Sequence, residues 1–203
     1  GFTCLQQSVM NFGILMIQGL VNSFGSAVMA AFAVAVKIDT IAYMPVQDFG
    51  NAFSVFTAQN FGAGKHDRIK SGIKQSLISV VLFCFAVSTA VFFLSEPLMS
   101  LFCSDSETVA IGVQYLRTEG LCYIGIGILF MLYGYYRAVN KPLMSVILTI
   151  LSLGTRVLLA YILSPVPAFG VMGIWVSIPI GWFLADTAGI GYYILRERSR
   201  YRK

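Results

Sequence analysis

The chain has 203 residues, of which 57% are hydrophobic and only 11% charged, with a mean hydropathy of +0.78 and a formal net charge of +5. Soluble domains carry about 25% charged residues, so the composition excludes a soluble globular domain and specifies a polytopic membrane protein. The positive charge does not point to nucleic acid, because the basic residues fall in short connections and a tail, where they act as topology signals beside anionic lipid.

The chain opens Gly1-Phe2-Thr3-Cys4, with neither an initiator Met nor a basic flank before its first apolar run. That pattern argues against a signal peptide and for a fragment or processed product. A span of about 20 apolar residues crosses the hydrocarbon as a helix, and six such spans are expected. The first runs from about Leu5 to Val21 and carries Gln6, Gln7, Asn11 and Gln18, amides able to bond across helices or face a pore. After the Asn22-Ser23-Phe24-Gly25 turn, the second runs from Ser26 to about Phe61. At 1.5 Å per residue it would be about 50 Å long, against a hydrocarbon core of about 30 Å. It is therefore expected to bend, tilt or protrude, with the bend near Ala42 to Pro45, since Pro45 lacks a backbone donor.

A glycine-rich loop, Gly62-Ala63-Gly64-Lys65-His66-Asp67-Arg68, precedes a third span from about Ser76 to Leu94, with Asp67 as the expected N-cap and Ser95-Glu96-Pro97 as the expected break. Leu98 to Phe102 reads as a short interfacial piece. The fourth helix starts at Ser106, opens Ser-Glu-Thr in a way that suits capping, and is expected to run to about Val139 with Arg117 and Glu119 in its outer part. Asn140-Lys141-Pro142 turns into the fifth, Leu143 to Leu163, which holds Arg156. The sixth, Val171 to about Leu195, holds Asp186. The fold expected is an all-α membrane protein, one six-helix bundle over residues 1–203.

The connections divide by charge. Lys65, Arg68, Lys70, Lys74, Arg137, Lys141, Arg196, Arg198, Arg200, Arg202 and Lys203, eleven of the 14 basic residues, lie after the second and fourth helices or in the tail. The alternate connections hold only Glu96, Asp105 and Glu107. The positive-inside rule places both chain ends in the cytoplasm of a cell (plasma or inner) membrane protein.

No signature of catalysis appears. His66 is the lone histidine, and HExxH, GxSxG and P-loop patterns are missing. Cys4, Cys84, Cys103 and Cys122 are scattered without CxxC spacing, so no metal is expected and they read as thiols in apolar packing. No cofactor is expected either. What remains is a set of polar groups inside the membrane: Asn11, Lys37, Asp39, Asp48, Arg117, Glu119, Arg156 and Asp186. A charge at a helix centre costs about 2.5 to 3.5 kcal/mol, so these groups must pair, neutralise or meet water. Lys37 and Asp48, eleven positions apart, project to one face of the second helix and Asp39 to another. Gln7, Asn11, Lys37, Asp39, Pro45, Asp48 and Glu119 are the candidates for a transport cavity and its gating, and Arg156 and Asp186 for intramembrane ion pairs that fix helix packing.

The order of residues resembles the C-terminal half of the multidrug and toxic compound extrusion transporters. The Gly25 turn, Ala30-Ala31, Pro45, Gly50, the run Gln59-Asn60-Phe61-Gly62-Ala63-Gly64-Lys65 with Arg68, and Tyr136-Arg137 carry the resemblance over essentially the whole chain. It implies one lobe of a twelve-helix transporter with pseudo-two-fold symmetry, partnered by an N-terminal six-helix lobe. That transporter would export amphipathic organic cations in exchange for a coupling cation, a proton rather than sodium. Some members of the family carry an acid in the first helix of this half, at a position that falls on Asn11 here, and another deep in the fourth, where nothing acidic lies between Glu119 and Arg137. The resemblance therefore implies that coupling rests on an acid in the other lobe, and that the second helix shapes the cavity. Two rival readings are a flippase for lipids or lipid-linked saccharides of the same superfamily, and a non-transporting membrane scaffold.

Overall fold

A computed structural model describes residues 2–197. The tail residues Arg198, Arg200, Arg202 and Lys203, counted above among the topology signals, lie outside the described residues, as does Gly1. Seven α-helices and a short π-helical turn follow in order: α1 (Phe2–Asn22), α2 (Ser26–Gly62), α3 (His66–Ser100), α4 (Ser106–Gly120), α5 (Tyr123–Ala138), α6 (Pro142–Leu163) and α7 (Val171–Tyr192), then Tyr193–Glu197. Apolar runs of this length must satisfy their backbone bonds internally, and the helix does so within each segment. Five helices are long and apolar enough to cross a membrane; α4 and α5 together make a sixth span, bent by 54° at their junction.

Glycines end several of these runs where the backbone turns left-handed. Gly25 before α2 has φ 103° and Gly170 before α7 has φ 49°, values that any side chain would strain. Pro142 occupies the first turn of α6, as expected of a proline whose missing N–H would have had no partner there.

Three local expectations are corrected. First, α3 does not break at Ser95-Glu96-Pro97 but continues to Ser100. Pro97 sits only one turn from the helix end, and the residues expected as an interfacial piece complete that turn and the one after it. Second, Asp67 is not the cap of α3. Lys65 precedes the helix and Asp67 lies inside its first turn, where a negative charge complements the helix dipole. Third, the single fourth helix is two. Gly120 ends α4, the Cys122 amide bonds back to the Glu119 carbonyl, and Tyr123 starts α5 in a new direction. Asp105, rather than Ser106, caps α4, its carboxylate accepting from the Thr108 amide at 2.9 Å. By contrast, α2 runs unbroken through Pro45 from Ser26 to Gly62.

Packing follows burial. α5 buries twelve of its 16 residues and stands at the centre, against α2, α3, α6 and α7. α3 buries seven of 35 and forms an outer wall. The crossing of α2 on α5 is made at glycines: a Cβ on Gly134 would lie 2.5 Å from the Gly50 carbonyl oxygen, and one on Gly50 would lie 3.0 Å from that of Phe130. Small residues at such crossings let helix backbones meet where lipid supplies no hydrophobic drive. α6 meets α7 in the same way, Gly181 against the Ser152 carbonyl.

Candidate functional site

The α4–α5 break shapes the site. It leaves Glu119 at the end of α4, 1% exposed, and sets Tyr123 at the start of α5, 1% exposed. Across from them α2 supplies Asp39, 4% exposed. The Tyr123 hydroxyl donates to Asp39 Oδ1 at 2.6 Å. The Asp39 and Glu119 carboxyls lie within hydrogen-bonding reach of each other, and Arg156 of α6 is close enough to act on both by its charge. Glu119 Oε1 and Arg156 Nε are buried without a hydrogen-bond partner. Asp39, Glu119 and Arg156 line a cavity of about 170 Å3 with Thr40, Tyr43, Thr149, Ser152 and Trp182, walled on one side by Met10 and Ile14 of α1. Two carboxyls from different helices and a guanidinium thus share one small enclosure, in a span that is otherwise apolar.

Toward the connections that carry no basic residue, the enclosure is closed by aromatic rings. Phe32 lies two turns before Asp39 on α2, Tyr115 one turn before Glu119 on α4, and Trp175 near the start of α7. Phe32 stacks on Trp175 with centroids 5.5 Å apart, and Tyr115 meets Trp175 edge-on at 4.9 Å. All three are buried. Toward the opposite end a second, polar crevice of about 60 Å3 opens between α1, α2 and α5, lined by Gln6, Gln7, Gln47, Asn51 and Arg137. In it Arg137 donates to the Asn51 side-chain oxygen at 3.1 Å and to the Tyr133 carbonyl at 3.2 Å.

The predicted site residues separate into three groups. Asp39 and Glu119 come together; nothing in their 80-residue separation along the chain signalled it. Lys37 and Asp48 lie on one exposed face of α2, with Asp39 turned inward as the helical spacing requires. Gln7 lines the polar crevice, whereas Asn11 is exposed on α1 and lines neither cavity. Pro45 faces away from both, into a groove with Phe49 of α2 and Val80 and Phe83 of α3.

Arg156 and Asp186, expected in ion pairs, make none. Among the described residues the salt bridge found is Lys70 to Asp67, at 3.2 Å on the surface. Arg156 packs its Cβ beside Gly181, and Asp186 is five positions further along α7. Five positions are about 7.5 Å along the axis and more than a third of a turn around it, which separates the two charges. Both Asp186 oxygens are buried without a hydrogen-bond partner. Sequence reasoning missed Tyr123, Tyr115 and Arg137 as members of these sites. The glycines at 120, 125 and 127, which mark a helix that will not run straight, were the available signal for the first.

Comparison with known proteins gives a consistent result. The MatE family model matches residues 3–162. The chain is 27% identical over 174 residues to a probable multidrug resistance protein, YoeA, of Bacillus subtilis, covering 85% of this chain and 38% of that protein. It is 26% identical to the FAD transporter of Shewanella oneidensis, covering 90% of this chain and 39% of that one. Its structure superposes on a bent-form MATE transporter of Vibrio cholerae, VcmN, with a TM-score of 0.89 at 20% identity, over 99% of this chain and 46% of that one. The chain spans less than half the length of each, and the fold it shares is one half of a twelve-helix transporter.

Proposed function

The chain belongs to the MatE family of membrane transporters, and from that premise we propose that it is the C-terminal lobe of a secondary multidrug antiporter whose coupling cation binds at Asp39 and Glu119. The observation that carries this reading is the meeting of two buried carboxyls from α2 and α4 beside the α4–α5 break. Broken helices place ion sites at mid-membrane in secondary transporters, and carboxyls in apolar packing require a cation to neutralise them. A proton fits the neighbours better than sodium, because Tyr123, Tyr115 and Arg156 present hydrogen-bond donors rather than a shell of oxygen ligands. An N-terminal six-helix lobe completes the transporter. Its substrates are amphipathic organic cations, held in a cleft onto which the Lys37 and Asp48 face of α2 looks. Both ends of this chain face the cytoplasm of the cell membrane, with the basic connections.

This reading assigns to the lobe more of the coupling than the sequence implied. Its test is efflux of ethidium by the full-length transporter, at matched expression, with Asp39→Asn and Glu119→Gln made singly. Each is expected to reduce pH-gradient-driven efflux at least tenfold while leaving substrate binding in place. Wild-type efflux in both variants would refute it.

A further inference from the structure

The acid cavity and the polar crevice are separated by a thin wall. Three residues, Met10 of α1 and Phe130 and Tyr133 of α5, line both. Polar groups continue from one side to the other. Ser152 and Thr149, three residues apart on α6, lead inward from Arg156 along the cavity. The Thr149 hydroxyl accepts from Gln6 Nε2 at 2.9 Å, and Gln6 is part of the crevice beyond. From there Gln47, Asn51 and Arg137 carry the lining toward the basic connections. At the other end, the rings of Phe32, Tyr115 and Trp175 pack against one another.

We propose that the Asp39–Glu119 pair exchanges its cation with the basic-connection side of the membrane through the α1–α2–α5 crevice, and that Met10, Phe130 and Tyr133 form the gate. The proposal rests on the reading that this pair binds the coupling cation. Its physical ground is asymmetry. A cation or a water-borne proton crossing to the pair meets a run of hydroxyls and amides on one side, and on the other three packed rings whose polar atoms are the Tyr115 hydroxyl and the Trp175 indole N–H alone; the path with fewer polar partners is the costlier one. Met10 suits a gate because an unbranched thioether rearranges easily. Closing the wall with two rings and a flexible side chain lets it open without unwinding a helix.

The probe is the silver ion, a thiol-reactive monovalent cation, applied from one side to the full-length transporter in proteoliposomes after its native cysteines have been replaced. Gln47→Cys reports the crevice and Ser152→Cys the cavity beyond the gate; Thr149→Cys replaces the latter if Ser152→Cys does not fold. Modification is read as loss of maleimide-reactive thiol after denaturation. Ser152→Cys is expected to react at least tenfold faster from the basic-connection side than from the other, and several-fold faster again with Met10→Ala. Gln47→Cys is expected to react quickly from the same side whether or not Met10 is changed. Equal or faster reaction of Ser152→Cys from the opposite side would overturn the proposal, as would indifference to Met10→Ala. Efflux that survives both Asp39→Asn and Glu119→Gln would instead remove the coupling reading while the silver result stands, so the two failures are told apart.

Discussion

Replacing Gly134 by alanine tests the element that holds the site together. The added Cβ would lie 2.5 Å from the Gly50 carbonyl oxygen, with the Ser54 Cβ 3.5 Å away on the same helix. Ordinary contact needs about 3.4 Å or more, so α2 and α5 must part by close to 1 Å at the crossing. Neither partner can yield by changing a rotamer, since the obstacle is backbone. Overpacking of this kind costs about 1 to 3 kcal/mol. The displacement acts on a lever: Tyr123 lies eleven residues from Gly134 on α5, Asp39 eleven residues from Gly50 on α2, and the 2.6 Å bond between them spans the same two helices. Gly134→Ala is therefore expected to lower the melting temperature of the detergent-purified full-length transporter by several degrees and to reduce coupled efflux. Gly154→Ala is the control, since a Cβ there meets nothing within 4 Å and adds helix propensity. If Gly134→Ala melts with Gly154→Ala, the close approach of α2 to α5 is not a constraint and the reasoning fails.

Other outcomes follow from single contacts. Tyr123→Phe leaves the Asp39 carboxyl without its buried donor and is expected to cost about 1 to 3 kcal/mol, read as a lower melting temperature of the detergent-purified full-length transporter; a melting temperature equal to that of the wild type would show that the bond holds nothing together. Cysteines at positions 37 and 48, on the exposed face of α2, are expected to react with a hydrophilic thiol reagent in the full-length transporter, whereas a cysteine at 39 is not; labelling of all three alike would contradict the two-faced description of the helix. At the membrane surface, the Thr108 hydroxyl and amide hold the Asp105 carboxylate below the usual range. The folded value is lowered, so the cap's contribution is present at neutral pH and lost as pH falls below about 4. Asp105→Ala is expected to speed amide exchange in the first turn of α4 at pH 7, and Asp105→Asn, which keeps an acceptor, to do so less.

The spans were legible because lipid leaves the backbone few choices. Length and apolarity alone delimit α1, α2, α6 and α7 to within a few residues, and the Gly25 and Pro142 punctuation marks their ends. The reading failed where proline and glycine were weighed by residue type without position. Pro97 near a helix end breaks nothing, while Gly120, in a stretch that reads as continuously helical, ends α4. The site was half legible. Each acid could be recognised as costly in hydrocarbon, and the phase of α2 correctly separates Asp39 from Lys37 and Asp48. Which charges meet depends on helix rotations set by contacts such as Gly181 on Ser152 and Gly134 on Gly50. Those contacts lie between residues far apart in the chain, and a single sequence carries no trace of their pairing. The expectation for Arg156 failed for that reason. Its charge acts on Asp39 and Glu119 of α2 and α4, but no salt bridge to either is made among the described residues.

Under the proposed role of Asp39 in binding the coupling cation, the two faces of α2 would link ion to substrate. One face carries Lys37 and Asp48 outward, and the other holds Asp39 in the acid cavity, within one helix that continues through Pro45. A cation gained or lost at Asp39 changes the charge enclosed between α2 and the α4–α5 break, and with it the preferred spacing of those elements. Since α2 touches α5 backbone to backbone at Gly50 and Gly134, it cannot absorb that change by local compression and must shift as a unit. Any such shift carries Lys37 and Asp48 with it. On this argument, disconnecting the acid from Asp48 and from the Gly50 crossing should weaken the coupling: a flexible Gly-Gly pair in place of Tyr43 and Met44 is expected to preserve substrate binding while reducing its dependence on the pH gradient. Dependence equal to that of the wild type, with the variant folded, would show that the ion's effect reaches the substrate by a path other than α2.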